Sequence, residues 1–297
     1  MLNSIHFLLT LSCNFECDHC FLYCGPQATG TFTIAQIRDV IEEAKKLGTI
    51  ESVYFEGGEP FLYYPLLLEA VKIASDAGLK TGIVTNCYWA TSGEDAELWL
   101  KPLAILGVDD FCASDDSFHH SEENNPVKNV YLAAKKLGMP VGSICIEKPT
   151  MDSDSSREKG AAVIDGGAQF KGRAVEKLTE GLPTVSCGQF TECPAEDFQN
   201  PGRIHLDSFG NVHLCQGIVM DNAWETPFSE LIQNYDPDSH PIVGPLLKGG
   251  PLELAREYKV VHDDEYISAC HFCYKVRSAL LGRFPKYLTP RQVYGLE

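Results

Sequence analysis

The stretch SIHFLLTLSCNFECDHC, residues 4–20, decides the fold. Ser4 to Ser12 is a short apolar run of strand length, and it ends in a loop that carries Cys13, Cys17 and Cys20 in CxxxCxxC spacing. Outward from this strand the chain alternates strands with amphipathic helices. Thr33 opens the first helix with Gln36 three residues on, a capping box, and Gly48 stops it. Strands at Ser52 to Glu56, Lys80 to Asn86, Asp109 to Ser114 and Val141 to Glu147 alternate with helices at Pro65 to Ala77, Glu94 to Leu106 and Pro126 to Leu137. This repeat predicts a parallel sheet. AAVIDGGAQFKGRA, residues 161–174, supplies an irregular sixth strand. Beyond about residue 180 the composition shifts to cysteine, proline and aromatic residues in short segments, which places a domain boundary there.

Composition narrows the function. With 24 basic against 41 acidic residues, formally −17, the chain lacks the broad cationic surface that nucleic acid requires. No run approaches the length of a membrane helix. MLNSIHFLLTLSC superficially resembles a lipoprotein signal ending at Cys13, but it lacks a basic start and its apolar run is very short. A cytoplasmic location is therefore expected, where the 12 cysteines stay reduced and free to bind metal.

Three thiolates can hold three irons of a cubane and leave the fourth iron open to a substrate or cofactor. The alternative for the spacing alone is a zinc knuckle that borrows His19 or His6. At the end of the second strand stands Glu56-Gly57-Gly58-Glu59-Pro60, where glycines expose backbone to a ligand, and ligands in such sheets bind at the carboxyl ends of strands.

Together the cysteine loop and GGEP resemble the radical S-adenosylmethionine (SAM) superfamily, whose hallmark is CxxxCxφC with an aromatic-type residue before the last cysteine, here His19. The resemblance implies a partial (β/α)6 TIM-like barrel over residues 1–180. It implies a [4Fe-4S] cluster on Cys13, Cys17 and Cys20 that reductively cleaves SAM to a 5'-deoxyadenosyl radical, which abstracts a substrate hydrogen. It gives Gly57, Gly58, Glu59 and Pro60 to the methionine amino group, His19 to the adenine, and the later strand ends, Thr85, Asn86, Ser114 and Asp116, to ribose and carboxylate. For those last four, capping of the next helix is an equal reading. A reductant such as a flavodoxin or ferredoxin is implied as partner.

Five further cysteines, Cys187, Cys193, Cys215, Cys270 and Cys273, fall in the second half, where a small unit with little regular core needs a staple. DSFG in HLDSFGNVHLCQG predicts a hairpin turn with Cys215 at the end of the returning strand. This region, residues 181–297, resembles the twitch and SPASM extensions, a cysteine-rich α+β unit with auxiliary [4Fe-4S] clusters. No cysteine follows Cys273, so the resemblance implies one auxiliary cluster, on Cys193, Cys215, Cys270 and Cys273, with Cys187 as rival for the first place. Structural zinc is the alternative.

Other residues carry bland expectations. Cys24 is a spectator thiol; Cys87, Cys112 and Cys145 are small buried hydrophobes; His119 and His120 face solvent. Arg173 in KGRA meets an anionic group or a surface partner, and KVRSALLGRFPKYLTPRQVYG docks on the barrel. The expected function is oxidation or modification of a small metabolite or folded protein, since no leader-binding domain precedes Cys13. The alternatives are a peptide maturase served by a separate leader-binding partner, an electron carrier and a zinc-stabilised binding protein.

Overall fold

A computed structural model describes residues 1–152 and 163–296. The elements run β1 (Ser4–Thr10), α1 (Ile34–Leu47), β2 (Ser52–Gly57), α2 (Tyr64–Asp76), β3 (Lys80–Thr85), α3 (Gly93–Leu106), β4 (Asp110–Ser114), α4 (Val127–Leu137) and β5 (Gly142–Ile144). There follow β6 (Thr150–Asp152), β7 (Val163–Asp165), α5 (Ala174–Lys177), β8 (Val185–Ser186), β9 (Arg203–Asp207), β10 (Asn211–Cys215), β11 (Ile218–Asn222), α6 (Phe228–Gln233), α7 (Val243–Tyr258), β12 (Glu265–Tyr266) and α8 (Ala269–Leu280). Eight strands form one sheet in the order β11-β10-β9-β1-β2-β3-β4-β5. β1 to β5 pair in parallel, as the strand–helix repeat requires, and the protein is a TIM-like partial barrel.

Local chemistry sets the element ends. Thr33 and Gln36 form the reciprocal capping box of α1, and Gly48 closes it in the left-handed conformation at φ 67°. Helix α1 buries Ile37, Val40, Ile41 and Ala44. On β1, Ile5, Phe7 and Leu9 are fully buried, and Phe7 stacks on Phe55 at 5.5 Å between centroids. The alternate row faces the barrel interior.

Three expectations change. The sixth strand of the 161–174 segment is Val163–Asp165, and it pairs antiparallel with β6 in a separate ladder; residues 161–162 lie outside the described ones. β5 is three residues long and exposed, because it is the free edge of the sheet. On the other side the sheet continues through the DSFG hairpin: β9 pairs in parallel with β1, and β10 returns against β9 with Cys215 as its last residue. Asp207 makes that turn by accepting from the Phe209 and Asn211 amides at 2.9 and 3.0 Å, with Gly210 at φ 89°. The C-terminal stretch docks in cis: Gln292 Nε2 donates to the Leu22 carbonyl at 3.2 Å, and the Val219 amide to the Tyr287 carbonyl at 2.9 Å. Among the described residues no helix is long and apolar enough to cross a membrane.

GGEP is locked to the end of β1. The Gly58 amide donates to the Thr10 carbonyl at 2.7 Å, and the Glu59 amide to the Ser12 carbonyl at 2.9 Å. A Cβ on Gly58 would stand 2.1 Å from the Ser12 oxygen, so only glycine allows this approach. We expect Gly58→Ala to cost about 2 kcal/mol or more in urea unfolding. Gly93→Ala, which opens α3 where a Cβ meets nothing within 4 Å, should stay within about 0.5 kcal/mol of the parent. Equal losses in both variants would contradict the close-approach account.

Candidate active site

The loop between β1 and α1 carries Cys13, Cys17 and Cys20 into a cavity of about 270 Å³. Gly57 and Gly58 from β2, Thr85 and Asn86 from β3, Ser114 from β4, and His19 line the same cavity. The loop is held from a distant segment. Arg173, 9% exposed, donates from Nη1 to the Cys17 carbonyl and from Nη2 to the Cys24 carbonyl, both at 2.9 Å, and its amide donates to the Cys20 carbonyl at 2.9 Å. Its guanidinium lies over the Tyr23 ring at 5.3 Å. Arg173 thus meets carbonyls inside the molecule, where the sequence suggested an anion or a surface partner.

The thiols are poised for a cation. Burial pushes Cys13 up to about 11 and Cys17 up to about 12, so neither ionises near neutrality unless a metal stabilises the thiolate. Cys13 Sγ accepts from the Phe15 amide at 3.4 Å and is approached by Asn86 Nδ2 at 3.8 Å. Cys24 is buried in the same cavity wall, and a hydrogen bond shared with its sulfur holds the Cys20 thiol down while pushing Cys24 up. The expected spectator thiol is therefore a direct neighbour of the site.

Glu59 and Asp116 do not line the cavity; they tie strand ends together. Glu59, fully buried, accepts from the Phe61 amide (2.9 Å), the Thr85 hydroxyl (2.9 Å) and the Asn86 amide (2.7 Å), and burial pushes its carboxyl up to about 7. Pro60, buried, starts the short turn that Glu59 caps. Asp116 accepts from His119 Nδ1 at 2.7 Å and from the Phe118 and Ile146 amides at 3.0 and 3.2 Å. Contrary to expectation, His119 and His120 are not solvent-facing: His119 lines the cavity, and His120 Nε2 lies 2.6 Å from the Asn86 carbonyl. Burial pushes His19 down to about 4, which keeps it neutral, and its Nδ1 is buried without a partner among the described residues.

Below the cysteines a polar row crosses the barrel interior that sequence reasoning did not assign. His205, His6, Tyr54, Gly82 and Asp110 stand in register on β9, β1, β2, β3 and β4. Glu56, one layer nearer the cavity, lies 3.1 Å from both His6 Nδ1 and His205 Nε2. Burial raises its carboxyl, but the two histidines outweigh that and hold it well below the usual carboxylate range. The Tyr54 ring stacks on His6 at 4.5 Å and reaches across Gly82 to donate to Asp110 at 2.9 Å. Polar residues at alternate positions of apolar strands are the signal that pointed here. Cys112, half-buried, donates to Asp110, and Cys145 is exposed beyond the short edge strand; Cys87 alone of the three is buried as expected.

A second pocket gathers Cys193, Cys215, Cys270 and Cys273 with Lys171 and Arg277. Burial pushes the Cys273 thiol up to about 12 and raises Cys193 and Cys270. Cys187 lies elsewhere, its amide bonded to the Asp264 carbonyl at 2.8 Å. The segment 171–174 serves both places: Lys171 approaches Cys215 Sγ at 3.6 Å, while Arg173 grips the first cysteine loop.

Comparison with known proteins accords with this geometry. The family model of the radical SAM superfamily matches residues 7–146. A Bacillus subtilis (strain 168) protein named for peptide biosynthesis, YydG, is 22% identical over 249 residues, 83% of this chain and 70% of its own length. The PqqA peptide cyclase of Bradyrhizobium diazoefficiens is 26% identical over 203 residues, 62% of this chain and 51% of its own length. The crystal structure of BtrN in complex with AdoMet and 2-DOIA shares the fold with a TM-score of 0.52, at 19% identity, covering 79% of this chain and 83% of that one. Residues 7–146 match the radical SAM superfamily, and the protein is an enzyme that carries this domain.

Proposed function

We propose that the protein modifies a peptide by hydrogen abstraction, with a [4Fe-4S] cluster and SAM at Cys13, Cys17 and Cys20 and an auxiliary cluster at Cys193, Cys215, Cys270 and Cys273. The observation that carries the reading is the convergence of the three loop cysteines with Gly57, Gly58 and Asn86 around one cavity at the carboxyl ends of the parallel strands. When bound, the cluster and SAM supply a 5'-deoxyadenosyl radical.

The chain's own residues hold and shield that chemistry. Gly57 and Gly58 bring backbone to the cavity wall without a side chain; the Gly58 and Glu59 amides are engaged on Thr10 and Ser12, which leaves carbonyl oxygens as the groups suited to an ammonium. The unpartnered His19 Nδ1, beside the Phe118 ring at 4.6 Å, fits a heteroaromatic ligand such as adenine. Thr85, Asn86 and Ser114 complete the polar wall, while Glu59, Pro60 and Asp116 fix the strand ends that present it. Glu56, at the cavity's inner end, is held ionised by His6 and His205 and sets a fixed negative charge at that wall.

Peptide as the substrate class rests on two supports. The relatives YydG and PqqA cyclase are named for peptides. Phe15 is a wall shared between the cavity and a neighbouring groove of about 520 Å³ lined by Asn14, Asn124, Asn125 and Asn129, which gives room for a chain that continues past the reacting residue. The auxiliary site is read as a closed four-thiolate ligand set, with no position for substrate.

Two measurements test the reading. Anaerobically reconstituted protein given dithionite and SAM should form 5'-deoxyadenosine, and Cys13→Ala, Cys17→Ala and Cys20→Ala should each reduce it to background, whereas Cys24→Ala should keep the cluster and the product. Product from Cys13→Ala at the parental rate would reject the site. His19→Ala should raise the KM for SAM about tenfold through lost ring contact and pairing, with His19→Phe recovering part of it. An unchanged KM in both variants would remove His19 from the SAM pocket.

A further inference from the structure

The pocket of Cys193, Cys215, Cys270 and Cys273 has a charge problem that its thiols alone cannot solve. Lys171 is 3% exposed and Arg277 is 1% exposed. Among the described residues neither forms an ion pair with a carboxylate. Lys171 Nζ has Gln216 Oε1 at 2.6 Å and Cys215 Sγ at 3.6 Å. Arg277 donates from Nη1 to the Gln216 carbonyl at 2.9 Å, lies within 5.8 and 5.7 Å of the Tyr274 and Tyr294 rings, and leaves Nε buried without a partner. Glu196, half-buried beside Cys193, is the acid that acts on these thiols. Two buried cations without counter-charge are strongly unfavourable, so the site is completed by a group of compensating negative charge.

We infer that Lys171 and Arg277 balance a doubly negative four-thiolate cluster at this site and raise its reduction potential. The inference rests on the auxiliary cluster of the proposed function and adds the residues that tune it. Four thiolates around a doubly positive core total two negative charges, which Lys171 and Arg277 match one for one. Uptake of one electron, supplied by dithionite in the assay, brings the total to three negative charges. Each buried cation favours that reduced form, because attraction across a dry pocket is weakly screened. The first site is served differently: its buried cation, Arg173, gives both terminal nitrogens to backbone carbonyls. The second site holds two buried cations against one at the first, and that difference makes the second the more easily reduced.

The test uses the full chain with Cys13, Cys17 and Cys20 replaced by alanine, so that only the second site can hold iron. About four irons per chain should remain, with a reducible cluster signal in electron paramagnetic resonance. Loss of all iron, or zinc in its place, would overturn the auxiliary cluster itself. In that background Lys171→Met should lower the reduction equilibrium constant at least tenfold, 59 mV for one electron, while Lys171→Arg stays near the parent. Arg277→Met and Arg277→Lys should behave likewise where they retain iron. A Lys171→Met variant that keeps its iron and titrates at the parental potential would overturn the inference while leaving the cluster standing.

Discussion

One buried guanidinium holds the cysteine loop in shape. The loop has few regular hydrogen bonds of its own, among them Cys20 amide to Cys17 carbonyl at 3.1 Å and Cys13 amide to Gly25 carbonyl at 3.0 Å. Arg173 supplies what is missing, through two side-chain bonds and one backbone bond to carbonyls of residues 17, 20 and 24. A planar donor fork suits this task, because it fixes two acceptors at once and stays charged inside the protein. Gly172, at φ 62°, lets the segment come so close; a Cβ there would stand 2.5 Å from Phe21 Cα. The shape of the first site therefore depends on a segment some 150 residues away in sequence, and the same segment reaches the second site through Lys171.

Register is the second constraint. Because side chains alternate along a strand, the pairing that buries Ile5, Phe7 and Leu9 on one face of β1 sends His6, Leu8 and Thr10 to the other. The parallel partners do the same, so residues one layer deep stand side by side across five strands. Gly82 leaves the gap that the Tyr54 ring fills, and the ring carries the hydrogen bonding from β2 over β3 to Asp110 on β4. A polar interior in a barrel is stable only where each group has a partner, and Glu56 between two histidines meets that condition while still facing the cavity.

Much of this was legible from local chemistry. The capping box at Thr33, the Gly48 stop and the DSFG hairpin are short-range devices whose residues specify their own geometry, and α1 runs from Ile34 to Leu47 between the first two. The resemblance in the second half named Cys193, Cys215, Cys270 and Cys273, and these four line one pocket without Cys187. What stayed hidden depends on long-range pairing. Nothing local says that β9 would lie beside β1 and bring His205 to His6, or that a short segment ending in Arg173 would cross the cysteine loop. The sequence suggested solvent for His119 and His120 because polarity was judged within the loop, whereas their partners, Asp116 and the Asn86 carbonyl, belong to strand ends. The expected sixth strand failed for a related reason: its three residues pair with β6 and find no place in the main sheet.

The distribution of charge ties the two halves together. The chain carries a formal charge of −17, yet its buried Lys and Arg residues are Lys171, Arg173 and Arg277, and all three stand against cysteine-bearing sites. In an acidic protein the easy place for a cation is the surface, where carboxylates are abundant. Among the described residues these three are buried and form no ion pair with any carboxylate. A buried cation needs compensation, and the acidic groups within reach here are sulfurs. At the second site the Cys273 thiol, pushed upward by burial, cannot provide it alone, because it is neutral near pH 7. A metal held by Cys193, Cys215, Cys270 and Cys273 would resolve both difficulties at once: it would ionise the thiols, and the anionic thiolate assembly would neutralise Lys171 and Arg277. At the second site, Lys171, Arg277 and the four cysteines would be satisfied by the same occupant, whereas Arg173 at the first is held by backbone carbonyls.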